Sequence, residues 1–266
     1  MGIKQIFGYF MAAIVLTGLA GCKPKTTSQT HPDINSQPAH TRRSIPLDPA
    51  TLGSVSGTVH FAGKPPERIR IDMSQDPACS ITGGENLAEQ YVVHDGKLAN
   101  VYIYVKSGPA AAMSASDNST APVVLDQVGC RYVPHVIAVM QGGSVEFRNS
   151  DDTMHNIHTM PTVSANKEID VSQGPKGAPQ IRQFLQPEVM MPVRCNNHPW
   201  MNAFINVSAT PFFAVTDANG RFEINGLPAG TYTLAAVHEK MGEQTITVTV
   251  KPHETEPASF TYSLQK

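Results

Sequence analysis

Between Cys195 and Met201 the chain reads CNNHPWM, which sets a thiol, an imidazole and a thioether at intervals of three residues. Sulfur donors with an imidazole nitrogen form a soft to borderline set, suited to holding a late transition metal. The same residues also have an ordinary use, because Cys and Met fill cores and a lone His takes a hydrogen-bond partner. Two things separate the readings: a further nitrogen donor brought alongside by the fold, and a compartment in which this thiol is spoken for.

The compartment is written at the start of the chain. The opening MGIKQIFGYFMAAIVLTGLAGC has an early cation at Lys4, an apolar run and then small residues. That is the layout of a secretion signal over residues 1–21, too short for a spanning helix. Its end, Leu19-Ala20-Gly21-Cys22, resembles the lipobox of bacterial lipoproteins. The resemblance implies acylation of Cys22 and anchoring in the bacterial cell envelope, facing the periplasm or the cell surface, since several acyl chains suffice for stable attachment. Lys23 stands where an Asp often retains lipoproteins at the inner membrane, which favours the outer one. Residues 22–50 are rich in Pro, Thr, Ser, Gln and Asn and poor in apolar side chains, so they read as a disordered tether.

Outside the cytoplasm thiols pair, and removing Cys22 leaves Cys79, Cys130 and Cys195. If Cys195 is a metal ligand, Cys79 and Cys130 remain as one disulfide. If Cys195 is itself paired, one of the other two is unexplained, so the first assignment is the cleaner.

From about residue 51 the 266-residue chain is long enough for one large or two modest domains, and its net charge of -2 leaves no nucleic-acid footprint. SGTVHFA, NVYIYVK, HVIAVM, SVEFRN, NAFINVS, RFEIN, TYTLAAV and QTITVTV alternate apolar with polar residues between Gly, Pro, Asn and Asp. Long helical periodicity is absent. The expected class is all-β, built from sandwiches or barrels.

The further nitrogen donor lies in QGGSVEFRNSDDTMHNIHTM, which reads as a turn, a strand from Ser144 to Asn149, a polar loop, then His155 and Asn156. The run YVPHVIAVMQGGSVEFRNSDDTMHN resembles the first half of a cupredoxin, and CNNHPWM resembles the short ligand loop of amicyanin, with C-x-x-H-x-x-M order and Pro after the His. The likeness runs from Pro122 to Ser208. It implies a Greek-key sandwich over 121–208 holding one type 1 copper, with His155, Cys195 and His198 as equatorial ligands and Met201 as the weak axial one. A thiolate, two imidazoles and a long thioether in a trigonal arrangement suit both oxidation states of copper. Asn156 is expected to hydrogen-bond across to the ligand loop, as the corresponding Asn does in the family. His158 sits three residues after His155 and, in an extended segment, faces the other side. His135 and His238 read as histidines with structural roles.

A second resemblance flanks the first. FFAVTDANGRFEINGLPAGTYTLAAVHEKMGEQTITVTV resembles the C-terminal half of the carboxypeptidase regulatory-like domain, a transthyretin-like sandwich, with Asn219-Gly220 expected to supply positive φ angles in a hairpin. GSVSGTVHFAGKPP and LANVYIYV look like its opening strands. The expected organisation is therefore a discontinuous sandwich over 51–120 and 209–266, interrupted near Thr120 and Ala209 at a surface loop; two adjacent domains are the alternative. A Cys79–Cys130 bond would clamp one domain to the other.

A copper with no open coordination position suits one-electron transfer to a redox partner protein, docking beside His198 on an apolar surround of Pro199, Trp200 and Met201. No enzyme is expected: multicopper chemistry needs His-x-His pairs, which do not occur, and Ser/His/Asp or paired-carboxylate catalysis has no local signature. The alternative is a module binding a carbohydrate or protein, in which the metal is structural or is sequestered; fold analogy is its warrant.

Overall fold

The computed structural model describes residues 46–80, 85–116 and 121–264. The signal peptide, Cys22 and the tether through residue 45 lie outside the described residues, as does Thr120. Among those described, no helix is long and apolar enough to cross a membrane.

The chain is all-β. It runs through β1 (Leu52–Phe61), a four-residue helix α1 (Pro77–Ser80), β2 (Val93–His94), β3 (Lys97–Leu98), β4 (Tyr102–Ser107) and a second four-residue helix α2 (Ala110–Met113). Then come β5 (Val123–Gln127), β6 (Tyr132–Val133), β7 (Val136–Met140), β8 (Ser144–Asn149), β9 (His155–Thr159), β10 (Asp170–Gln173), β11 (Gln180–Gln183), β12 (Glu188–Arg194) and β13 (Asn202–Ser208). The last five are β14 (Phe213–Val215), β15 (Arg221–Pro228), β16 (Gly230–His238), β17 (Gly242–Val250) and β18 (Thr255–Tyr262). Each alternating stretch seen in the sequence lies on one of these strands.

Early and late strands share sheets. β1 lies between β15, antiparallel, and β18, parallel, and continues to β3 and β2. β4 lies between β14 and β16, with β17 outside β16. The two sheets enclose one core, including Val55, Val59, Ile103, Phe222, Leu234 and Phe260. Strands β5 to β13 pair only among themselves, as β10-β9-β12-β13-β7 and β11-β8-β5-β6. Between them lies a second core of Leu125, Phe147, Ile157, Met191, Val193 and Ile205.

Gly57 shows how closely β1 and β18 approach, because a Cβ there would stand 1.6 Å from the Ala258 carbonyl oxygen. At Asn219-Gly220 the structure departs from a hairpin with two left-handed residues. Only Gly220 has positive φ (68°), and the flanking strands β14 and β15 belong to different sheets. The Asp217 carboxylate accepts the amides of Asn219 and Arg221, adding side-chain bonds to the backbone ones from Asp217 N to Arg221 O and from Gly220 N to Asp217 O.

The segment between β1 and β2 also differs from expectation. Its sequence places it in the first sandwich, yet Met73 and Cys79 are buried in the second core, with Ile71 packed against it. Few residues of the segment are in strands; Ile71 N donates to Asn86 O and Ala88 N to Ile69 O, tying its two arms together. It leaves and re-enters the first sandwich, with Met73, Cys79 and Ile71 on the second core and Tyr91 against the first. Cys79 and Cys130 form the disulfide, with Cα atoms 5.5 Å apart. Cys195 is the free cysteine among the described residues.

Candidate metal centre

Two stretches of backbone build the site. On one side, β8 ends at Asn149, whose buried side-chain amide donates to the carbonyls of Thr153 (2.9 Å), Gln173 (3.2 Å) and Gly174 (2.8 Å). Those bonds fix the 150–154 loop and thereby the start of β9, where His155 sits. On the other side, β12 and β13 bracket the 195–201 loop. Cys195 N donates to Met201 O and Met201 N to His198 O, so the loop is cinched across its base.

The donor atoms of His155, Cys195 and His198 lie within 4.8 Å of one another, and all three residues are buried. The two Nδ1 atoms are 3.0 Å apart, and Cys195 Sγ is 3.6 Å from His198 Nδ1. Met201, at the end of the same loop, is buried in the second core, as Cys195 is. Asn156 N donates to Cys195 Sγ at 3.3 Å, its Oδ1 accepts from Asn196 N, and its Nδ2 holds Asp170. Asn156 thus bridges β9 to the ligand loop.

Two carboxylates complete the cluster. His155 Nε2 lies 2.8 Å from Asp151 Oδ2, and His198 Nε2 lies 2.8 Å from Asp76 Oδ2. Ionised carboxylates only accept, so each Nε2 carries a proton and the two Nδ1 atoms are turned inward, 3.0 Å apart beside the sulfur. Two bare lone pairs at that distance would repel, so a cation, either a proton on one Nδ1 or a metal ion, is shared between them. The titration of the site points the same way. Burial opposes charge at His155, but the hydrogen bonds to Asp151 and Cys195 prevail and raise the imidazole to about 9. Burial likewise raises the Cys195 thiol, yet His155, the Asn156 and Asn197 amides and His198 bring it down to about 7. Asp76 is lowered by its bond to His198, and Asp151 is lowered despite burial by His155 and the amides of Cys130 and Gly129. A thiol brought down to about 7 and two carboxylates held ionised around the facing Nδ1 atoms make a site that takes up positive charge, as a proton or as a metal ion.

A metal ion fits that demand. Nitrogens about 2.0 Å from one ion, with a sulfur about 2.3 Å away, stand roughly 3–4 Å from each other, the spacing found here. Two imidazoles, a thiolate and a neighbouring thioether are the donor chemistry of a trigonal copper site.

The other histidines fall outside the cluster. His158 faces away, with its nitrogens against Asn196 and Glu168. His135 is buried, with Nε2 2.6 Å from Glu239, and so ties β7 to the end of β16. His238 is buried against Tyr91 and Tyr262, and its Nε2 has no hydrogen-bond partner. Of the apolar surround, Pro199 is exposed and Trp200 half-buried, its ring 5.1 Å from that of His198, whereas Met201 offers no surface.

Asp76 and Asp151 were not singled out in the sequence. Asp151 had a signal, standing four residues before His155 in the loop that Asn149 organises. Asp76 had none, because its segment reads as part of the other sandwich.

Compared with known proteins, residues 194–263 match the family model of the carboxypeptidase regulatory-like domain. The match begins at Arg194, the last residue of β12, and takes in the ligand loop and β13. No curated protein matches the chain in sequence. Among solved structures, a Cu-containing nitrite reductase (NirK) from Thermus scotoductus SA-01 is 24% identical with a TM-score of 0.31. That match covers 35% of this chain and only 24% of the reductase. An amicyanin mutant in its Cu(I) form is 19% identical with a TM-score of 0.30, covering 40% of this chain and 98% of amicyanin. A purple cupredoxin from Nitrosopumilus maritimus is 21% identical with a TM-score of 0.27, covering 32% of this chain and 99% of that one. The chain is thus similar to the carboxypeptidase regulatory-like family over 194–263 and, over part of its length, to cupredoxins of known structure.

Proposed function

We propose that this chain is a copper protein of the bacterial cell envelope that carries single electrons. The observation that carries the reading is the convergence of His155 Nδ1, His198 Nδ1 and Cys195 Sγ within 4.8 Å, each imidazole turned inward by a carboxylate on its far nitrogen. His155, Cys195 and His198 would hold one type 1 copper, with Met201 as its axial thioether. When bound, the metal supplies reversible one-electron chemistry. The protein's part is to hold the donors still: the cinched loop, the Asn156 bridge and the two carboxylates limit the movement available to every ligand, which keeps reorganisation small.

Electrons would pass at the His198 edge, where Trp200 packs on the imidazole and Met154, Thr153 and Asn197 line an open pocket. Met154 is 49% exposed. A redox partner protein would dock there. Cys22 would anchor the chain to a membrane, the outer one favoured, with the following segment as a tether. Residues 51–120 and 209–266 would form one discontinuous regulatory-like sandwich with 121–208 inserted; the pairing of β1 with β15 and β18, and of β4 with β14 and β16, supports that division.

Titration of the metal-free soluble chain with copper, followed by voltammetry, tests the function. The expected result is one equivalent bound and a reversible one-electron wave. Tight binding of copper with no reversible wave would contradict electron transfer and favour sequestration, which uses the same donors.

A further inference from the structure

The copper-ligand stretches both belong to strands β8 to β13, yet the carboxylate on His198 comes from elsewhere. Asp76 lies on the long segment that leaves the first sandwich after β1 and returns at β2. Its two oxygens have separate tasks. Oδ1 accepts the Ala78 amide at 2.8 Å, capping the short helix α1, while Oδ2 faces His198 Nε2 at 2.8 Å and accepts from the Thr153 hydroxyl at 3.2 Å. The cap fixes the carboxylate's plane and leaves one oxygen aimed at the imidazole.

That helix is bolted down by Cys79. Its amide donates to the Asp76 carbonyl at 3.1 Å, and its sulfur is joined to Cys130. Cys130 has the matching role on the other histidine, since its amide donates to Asp151 Oδ2 at 2.8 Å, the same oxygen that faces His155 Nε2. The ligand atoms of Asp76, Cys79 and His198 cluster within 4.8 Å, as do those of Cys130, Asp151 and His155. One covalent bond therefore joins the frames of both carboxylate–imidazole pairs.

We propose that Asp76 is a positioning residue for His198, held by the Cys79–Cys130 disulfide, so that a segment of the first sandwich completes the metal centre of the second. This rests on the copper reading for its purpose, but the orientation of the imidazole can be read without metal. Asp76 forces the proton onto His198 Nε2 and presents the Nδ1 lone pair to the metal. Carboxylate partners of this kind change metal affinity by about 10- to 100-fold when lost.

The informative change is Asp76→Asn. Its carbonyl oxygen keeps the Ala78 amide and the helix cap, because Asn caps as well as Asp. Its NH2 then meets His198 Nε2 where an acceptor stood. The imidazole must answer by placing its proton on Nδ1, the position that should bind metal.

Long-range proton–nitrogen correlation spectra of the metal-free chain, recorded over a pH series, read this directly. The wild type should show His198 protonated on Nε2 and Asp76→Asn should move the proton to Nδ1, with unchanged far-ultraviolet dichroism. A competition titration should then show copper affinity about 10- to 100-fold lower in Asp76→Asn, and lowered in the same direction by Cys79→Ala with Cys130→Ala. Asp152→Asn, on the exposed ion pair with Lys176, should leave both readouts unchanged. If His198 keeps its Nε2 proton in Asp76→Asn, the positioning role is overturned. If the proton moves but even the wild type takes up no copper, the positioning role stands and the copper reading fails.

Discussion

Breaking the Cys79–Cys130 bond should destabilise the folded unit as a whole. The two residues are 51 positions apart and fully buried, and they join the segment after β1 to the turn between β5 and β6. Closing a loop of that length removes chain entropy from the unfolded state equivalent to about 4 kcal/mol at room temperature. In a domain of this size each kcal/mol moves the midpoint by about 2–4 °C, so reduction should lower it by roughly 8–16 °C. The oxidised protein should melt in one transition, because the bond ties the segment from the first sandwich into the core of the second. Calorimetry of the same preparation before and after reduction measures the shift, and Cys79→Ala with Cys130→Ala checks it without reductant. A shift below about 2 °C, or alkylation of both thiols in native protein without reductant, would refute the reasoning.

Three further outcomes follow from individual residues. Burial holds the His238 imidazole down at about 4 against an ordinary 6.5; the unfolded chain takes up that proton first, so stability present above pH 6.5 should fall by up to roughly 3 kcal/mol as the pH drops to 4. His238→Phe should flatten that slope in denaturant titrations, and an unchanged slope would remove His238 as its source. Gly57→Ala would drive a Cβ into the Ala258 carbonyl of β18 and should cost at least about 3 kcal/mol; wild-type stability in urea would mean that β18 does not lie against β1 as described. In copper-loaded protein Cys195→Ala should abolish visible colour, whereas Met201→Leu should keep it with a changed reduction potential, because an axial ligand tunes the site. Equal loss of colour in both would show that Met201 has a different role.

The strands were legible because period-two alternation is a local property, and SVEFRN or QTITVTV carries it wherever the chain goes. The cluster of His155, Cys195 and His198 was legible because one loop fixes two of its members and a strand start fixes the third. Asn156 followed from the cupredoxin resemblance, in which the Asn after the first His bonds across to the ligand loop. Asp76 was not legible, since what brings it to His198 is a disulfide and a few buried side chains, Met73 and Cys79 among them, acting across more than a hundred residues. The Asn219-Gly220 turn was misjudged for the opposite reason: a strong local signal was overridden by sheet assignment, with Asp217 closing the turn.

The most direct test is the absorption and paramagnetic resonance spectrum of the oxidised protein loaded with one equivalent of copper. A trigonal centre with Cys195 as ligand should give an intense thiolate-to-copper band in the visible region and a narrow copper hyperfine splitting, both lost in Cys195→Ala. A colourless copper-loaded protein whose resonance resembles copper bound to nitrogen and oxygen alone would contradict it.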